Sequence, residues 1–273
     1  MSIEWRLGFI GAGVMAETMV AGVDLPGERI LVSDPHPGRR QTLQENYGVG
    51  TTDSNLELVQ QADLLVLAVK PQNLAQIFTE LGGHIPADKQ VLSIVAGASL
   101  DALRRGLQHA SVARAMPNLP CRVHQGITVW TGADGNGAER IEYVLTGIGE
   151  SLRVDTESHV DRATAVSGTG PAIVAEFVKS FMEAATYIGQ PREMARQSVL
   201  ATLMGTAEMI RRYDDVHVAQ LIDEVTSPGG TTSRALQVLK QGGMSAVVTE
   251  SVDAAYGRTL ELGAALEEKL NGP

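Results

Sequence analysis

The sequence contains a single cysteine, Cys121, so the chain cannot form an internal disulfide. It also lacks any apolar run near the ~20 residues that span a bilayer, and its first residues lack the apolar segment of a signal peptide. Lys and Arg never form a run, and the formal net charge is −10, which argues against a nucleic-acid partner and an anionic membrane surface. These absences together predict a cytoplasmic protein.

The histidines are scattered along the chain. None of the six has a second histidine three or four residues away, which argues against a metal site and against a histidine-centred acid–base device. The 273 residues, 44% of them apolar, are enough for one large or two ordinary domains. We therefore expect a metal-free globular protein.

A glycine-rich turn stands near the start of the chain. Residues 7–10 are typical of a short buried strand, and they run directly into the G-x-G-x-x-A pattern of Gly11, Gly13 and Ala16. In such a strand–turn–helix context, the first glycine makes the tight turn and the second lets a pyrophosphate approach the backbone. A second strand-like run ends in Ser33 and Asp34, about 20 residues further on, where a ribose-binding carboxylate is expected. The pattern predicts a dinucleotide-binding site.

Strand and helix patterns alternate in the first half of the chain. The apolar runs 7–10, 29–32, 63–69, 91–95 and 112–115 are typical of a mostly parallel sheet covered by helices. Residues 64–69 are uniformly apolar and stop at Lys70, which predicts a central strand that delivers a loop to the ligand-binding carboxyl edge of the sheet. Residues 127–130 and 152–154 predict later strands. From about residue 155 only helical patterns remain.

This change divides the chain into two predicted domains. We expect an α/β protein with an N-terminal Rossmann-like dinucleotide-binding domain, residues 1–155, followed by an all-α dimerisation and substrate domain, residues 156–273. Helices beginning near Pro171 and Pro191 are apolar on several faces, and a domain of ~115 residues has little interior to bury them. A homodimer, or a ring of dimers, is therefore predicted.

A segment rich in hydroxyls and glycines, residues 225–233, precedes another predicted helix. The first turn of a helix offers unpaired N–H groups and partial positive charge, so it can bind a small carboxylate or phosphate. Gly229 and Gly230 would let such a ligand approach the backbone closely. The alternative is that Thr231 or Thr232 is an ordinary N-cap, which would explain only one of the hydroxyls.

The motifs taken together resemble the pyrroline-5-carboxylate reductase family. The resemblance covers essentially the whole chain and runs through residues 9–16, 68–72, 93–97, 114–118, 165–172 and 225–239, the last being the family's signature. It implies a reductase that makes proline by transferring a hydride from NAD(P)H to the imine carbon of 1-pyrroline-5-carboxylate. It also implies a Rossmann domain followed by a helical dimerisation domain, and NADPH as the cofactor with NADH accepted.

The resemblance also implies roles for individual residues. Thr232 is expected to be catalytic, with the substrate held by Gly229, Gly230, Thr231, Thr232 and Ser233. The cofactor is expected to contact Gly11, Ala12, Gly13, Val14, Met15, Ser33, Asp34, Asn55, Ala68, Val69, Lys70, Pro71, Met116, Pro117 and Asn118. No metal is expected.

Three alternatives stay open at this point. Leu119, Thr169 and Ile173 depart from the usual family residues near the expected pocket, so a six-membered cyclic imino acid is the alternative substrate. A hydroxyacid dehydrogenase of the 6-phosphogluconate type would need a catalytic lysine where Val174 stands, with Lys179 a turn further along. A non-enzymatic redox sensor would bind the dinucleotide without turning over an imine.

Overall fold

The computed structural model describes residues 4–271, which form one sheet and twelve α-helices. The strands are β1 (Leu7–Ile10), β2 (Ile30–Ser33), β3 (Gly50–Thr52), β4 (Leu64–Leu67), β5 (Gln90–Ser93), β6 (Val112–Pro117), β7 (Gly126–Thr131) and β8 (Gly149–Arg153). The helices are α1 (Val14–Gly22), α2 (Pro37–Tyr47), α3 (Asn55–Gln61), α4 (Leu74–Leu81), α5 (Leu100–Leu107), α6 (Gly135–Thr146), α7 (Glu157–Ala163), α8 (Gly170–Tyr187), α9 (Arg192–Arg212), α10 (Val218–Glu224), α11 (Thr231–Gln241) and α12 (Met244–Asn271).

The sheet has the order β3-β2-β1-β4-β5-β6-β7-β8, and every pairing is parallel except that of β6 with β7. The predicted parallel sheet is confirmed, with strand ends shifted by a few residues. All four residues of β1 and of β4 are buried, because helices cover both faces of the sheet. The short strand β3 was not predicted from the sequence, since its Gly-Thr-Thr carries no apolar run.

The strand order reverses direction beside β1, whose two neighbours are β2 and β4. Open α/β sheets bind ligands at such a switch point, outside the carboxyl ends of the strands. The backbone Gly11 N–H donates to the Ser33 carbonyl (2.8 Å), and the Ala68 N–H donates to the Ile10 carbonyl (2.9 Å). The loops that leave β1, β2 and β4 are therefore tied together at this edge.

The chain divides into two compact units. One contains the described residues up to Thr169 together with those from Ala255 onward, and the other is Gly170–Ala254. The domain boundary predicted after residue 155 lies just beyond the last strand, since β8 ends at Arg153. The helix α7 lies beyond that boundary but groups with the sheet, because Arg114 on β6 forms ion pairs with two carboxylates of α7.

The helical unit, Gly170–Ala254, leaves much apolar surface uncovered. Its described residues include only three buried apolar side chains, those of Ala185, Ala195 and Val199. Exposed apolar side chains lie along several of its helices, among them Phe177, Phe181, Ile188, Met194, Met204, Met209, Val225, Val238 and Val247. Packing α8 and α9 against each other therefore does not bury all the apolar side chains of these helices. Within residues 4–271, no helix is both long enough and apolar enough to cross a membrane.

Candidate active site

The glycine-rich turn joins β1 to α1 and has the geometry of a phosphate cradle. Gly11 has φ +102°, and a Cβ atom there would lie 2.8 Å from the Ala68 carbonyl oxygen, so only glycine fits. Gly13 is the extended N-cap of α1 and provides no side-chain cap. The first N–H groups of α1, beginning at Val14 and Met15, are therefore left for an anionic ligand.

Asp34 follows β2 and lies beside this turn. Its Oδ2 accepts a hydrogen bond from the Ala12 N–H (2.8 Å), and its Oδ1 accepts one from the His36 N–H (2.8 Å). The second contact shows that Asp34 caps the turn after β2, whereas the first ties it to the glycine-rich turn. Each carboxylate oxygen can accept more than one hydrogen bond, so a ribose hydroxyl could still bind here.

A polar chain connects β2, α3 and α4 at the same edge of the sheet. The Ser33 hydroxyl donates to Asn55 Oδ1 (2.6 Å), and Asn55 Nδ2 donates to Glu80 Oε2 (2.8 Å). Asn55 begins α3 behind the N-cap Ser54, whose hydroxyl accepts from the Glu57 N–H. The two predicted cofactor residues Ser33 and Asn55 are thus in direct contact, and Glu80, which no motif in the sequence predicts, joins them.

The remaining predicted cofactor residues lie on two loops. Ala68, Val69, Lys70 and Pro71 follow β4, where Lys70 is exposed and precedes a short 3₁₀ turn. Met116 and Pro117 end β6, and Asn118 follows them. The Asn118 Oδ1 accepts from the Ile127 N–H (3.0 Å) and from the Cys121 thiol, and Asn118 is buried, so its side chain supports the fold. Burial also raises the pKa of the Cys121 thiol.

The structure contains a buried cation on β6 whose ion pairs were not predicted from the sequence. Arg114 is 4% exposed and donates to Glu157 (2.8 Å) and to Asp161 (2.6 Å). Glu157 also accepts from the Leu100 N–H (2.7 Å) at the start of α5. An arginine within an apolar strand is the signal that could have predicted such a pair, because a buried charge needs a partner. The cluster fixes α7, which leads into a π-helical turn at Thr164–Gly168.

The hydroxyl- and glycine-rich loop lies in the helical unit and opens α11. Gly229 has φ +70°, and no atom lies within 4 Å of the position that its Cβ would take. The N-cap of α11 is Gly230, so Thr231 and Thr232 are the first two helical residues and neither is the cap. Within the described part of the chain, no side-chain hydrogen bond is formed by either threonine hydroxyl. The N-cap alternative is therefore wrong, and the half-buried Thr232 hydroxyl is free for a ligand.

The helical unit offers no lysine in the position that a hydroxyacid dehydrogenase needs. Val174 occupies that position, and Lys179 lies exposed on α8. The Lys179 ammonium donates to Glu176 (3.1 Å), and this hydrogen bond raises the pKa of Lys179. Among residues 4–271 there is also no group of three metal-binding side chains.

The parallel sheet, its switch point and the glycine cradle, together with the all-α second unit, define a dinucleotide-binding oxidoreductase. Residues 6–97 match the family model described as NADP oxidoreductase, coenzyme F420-dependent, and residues 157–262 match the model for pyrroline-5-carboxylate reductase dimerisation. A pyrroline-5-carboxylate reductase from Synechocystis is 37% identical in an alignment of 270 positions that covers 96% of this chain and 99% of the relative. The chain belongs to the pyrroline-5-carboxylate reductase family.

Solved structures of the family have the same fold. A pyrroline-5-carboxylate reductase from Coxiella burnetii superposes with a TM-score of 0.89 at 31% identity, covering 95% of this chain and 99% of the other. A pyrroline carboxylate reductase from Plasmodium falciparum, solved with NADP bound, gives a TM-score of 0.83 at 27% identity, covering 95% and 98%. The predicted Rossmann-like domain followed by a helical dimerisation domain is thereby confirmed.

Proposed function

We propose that this protein reduces 1-pyrroline-5-carboxylate to L-proline with NAD(P)H and so acts in proline biosynthesis. The proposal rests on one observation: 96% of the chain matches a relative that is named pyrroline-5-carboxylate reductase. The glycine cradle at Gly11 supports binding of a dinucleotide, and the open loop before α11 supports binding of a small carboxylate. The expected substrate is therefore a small cyclic imino acid.

The proposed cofactor is NADPH, with NADH accepted. The carboxylate of Asp34 favours a free ribose and repels a 2′-phosphate, whereas Arg39 and Arg40 favour the phosphate. Arg40 already donates to the Asp34 carbonyl (2.5 Å) and lies 4.0 Å from Asp53. Arg39 is exposed, and within the described residues its side chain forms no hydrogen bond or ion pair, so it is the better candidate to bind the phosphate.

The chemistry asks the protein mainly for positioning. When bound, the reduced nicotinamide supplies the hydride, and an imine protonated on nitrogen is already electrophilic. The backbone amides of the segment 229–233 are proposed to hold the substrate carboxylate. The Gly230 N–H already donates to the Ser227 carbonyl (3.1 Å), so the N–H groups of Gly229, Thr231 and Ser233 are the proposed donors. The Thr232 hydroxyl is proposed to hydrogen-bond the ring nitrogen and so to hold the imine carbon in near-attack geometry. An unperturbed hydroxyl is a poor acid, so orientation of a protonated imine is the role we assign to Thr232.

We propose that the active form is a homodimer, or a ring of dimers, in the cytoplasm. The match of residues 157–262 to a dimerisation domain and the uncovered apolar side chains of Gly170–Ala254 support the dimer. A partner subunit would cover surface that otherwise faces water at a cost of about 25 cal/mol per Å². The single, buried cysteine is compatible with a reducing compartment.

A six-membered cyclic imino acid is the second candidate substrate. The observation that favours it is the set of departures from the family pattern at Leu119, Thr169 and Ile173. Leu119 is 58% exposed, and Thr169 donates its hydroxyl to the Ala165 carbonyl at the end of the π-helical turn. These changes concern ring size and leave the reaction type unchanged.

The proposed activity is tested by following NADPH absorbance with the purified protein and 1-pyrroline-5-carboxylate, and by identifying the product. We expect loss of NADPH that depends on the imino acid, with one L-proline formed per NADPH. Binding of NADPH without any turnover would instead identify a redox sensor.

A further inference from the structure

The carboxylate of Glu80 contacts the proposed cofactor site through Asn55. Glu80 lies in the last turn of α4 and is half-buried, 25 residues from Asn55 in the sequence. We propose that Glu80 is a positioning residue for cofactor binding, which fixes the orientation of the Asn55 side-chain amide. The inference rests on the proposed function, in which Asn55 contacts the dinucleotide.

An asparagine amide can turn by half a rotation and exchange its oxygen and nitrogen, so its neighbours must select one orientation. Ser33 does not select one, because its hydroxyl has two acceptors within reach. These are Asn55 Oδ1 (2.6 Å) and the Phe9 carbonyl (3.4 Å). If the amide were reversed, Ser33 could donate to Phe9 and accept from Asn55 Nδ2. Both orientations of Asn55 therefore satisfy the serine.

Glu80 does select one orientation. An ionised carboxylate only accepts hydrogen bonds, and its Oε2 lies 2.8 Å from the Asn55 amide nitrogen. With the amide reversed, two acceptor oxygens would face each other at this short distance and repel. Glu80 therefore holds Nδ2 toward α4 and Oδ1 toward Ser33.

This orientation leaves a defined set of groups for the cofactor. One Nδ2 hydrogen bonds Glu80 and one Oδ1 lone pair accepts from Ser33, so the second Nδ2 hydrogen and the second Oδ1 lone pair remain. The Asn55 side chain contacts Ser33, the last residue of β2, and so lies at the edge of the sheet where Asp34 follows that strand. Because the Asn55 amide already has its orientation before the cofactor binds, cofactor binding does not carry the entropic cost of ordering this side chain.

The test measures the Kd of NADPH by direct titration for the wild type and for Glu80→Ala, Glu80→Gln and Asn55→Ala. We expect Glu80→Ala to weaken NADPH binding by about 3- to 10-fold, the range for one net hydrogen bond. Glu80→Gln should lose less, since its amide oxygen can accept the same bond but does not enforce it. For the two Glu80 variants, kcat and the KM of the imino acid should stay close to the wild-type values when both are measured at saturating NADPH.

The double variant Glu80→Ala/Asn55→Ala separates positioning from a merely structural role. If Glu80 acts through Asn55, removing Glu80 should have no further effect on NADPH binding once Asn55 is alanine. Thr79→Ala is the matched control on α4, because the hydroxyl of this exposed residue has the Ala75 carbonyl of the same helix as its sole hydrogen-bond partner within residues 4–271. This control should bind NADPH as the wild type does.

Two results would overturn the inference alone. One is an unchanged Kd for Glu80→Ala in a wild type that binds NADPH. The other is an equal loss for Glu80→Ala in the presence and in the absence of the Asn55 side chain. A wild-type protein that binds no NADPH would instead remove the proposed function, and this inference with it. Thermal unfolding of each variant shows whether a weakened Kd reflects a damaged fold.

Discussion

Replacing Thr232 by alanine removes one hydroxyl from the loop that opens α11. Because Gly230 is the N-cap and the Thr232 hydroxyl has no hydrogen bond within residues 4–271, the free energy of unfolding should hardly change. If the hydroxyl binds the ring nitrogen in the transition state, kcat/KM for the imino acid should fall by roughly 10- to 1,000-fold. This range corresponds to the loss of one hydrogen bond of ~1.5–4 kcal/mol to a charged centre. Affinity for NADPH should stay the same.

The assay combines kcat/KM for the imino acid at saturating NADPH, the Kd of NADPH, and thermal unfolding. Thr232→Ser keeps the hydroxyl and should keep most of the activity. Thr249→Ala is a matched control in the helical unit, because the hydroxyl of this exposed residue bonds, among the described residues, only the Ser245 carbonyl of α12. A Thr232→Ala variant with nearly wild-type kcat/KM and a lowered Tm would refute the assignment and leave the loop amides as the only contribution of this segment.

Four further results are expected. Asp34→Ala should raise the ratio of kcat/KM for NADPH to that for NADH, since it removes the carboxylate that repels a 2′-phosphate, and an unchanged ratio would contradict this role. Sedimentation should find a dimer or larger species at micromolar concentration, whereas a folded, active monomer would disprove the proposed assembly. Cys121 should resist alkylation until the protein unfolds, because burial raises its pKa and keeps the thiol protonated. The Cys121 thiol ionises at a lower pH in the unfolded chain than in the folded protein. The free energy of unfolding should therefore fall as the pH rises above about 8.5, and an increase over this range would contradict the raised pKa of Cys121.

The sequence predicts the sheet well because parallel strands buried on both faces are continuous apolar runs. β1 has the predicted bounds, and the glycine-rich turn follows it with the positive φ at Gly11 that a tight turn requires. The short strand β3 escapes prediction, since its three residues are held by pairing with β2 and not by an apolar pattern of their own.

The contacts between distant side chains are the part that the sequence cannot predict. Arg114 lies 43 and 47 residues from its two carboxylate partners, and Glu80 lies 25 residues from Asn55. Such pairs depend on how helices pack against the sheet, and no local periodicity reports that packing. The inward orientation of the Asn118 side chain has the same origin, because its acceptor atom serves the backbone of Ile127 on β7.

The central claim, that the protein reduces a five-membered cyclic imine, is tested most directly by comparing kcat/KM for 1-pyrroline-5-carboxylate and for the corresponding six-membered imino acid with NADPH. The proposed function predicts a clear preference for the five-membered ring, with a missing or added ring carbon worth about 10- to 200-fold. A preference for the six-membered ring would contradict the account and would make the departures at Leu119, Thr169 and Ile173 the determinants of a different substrate.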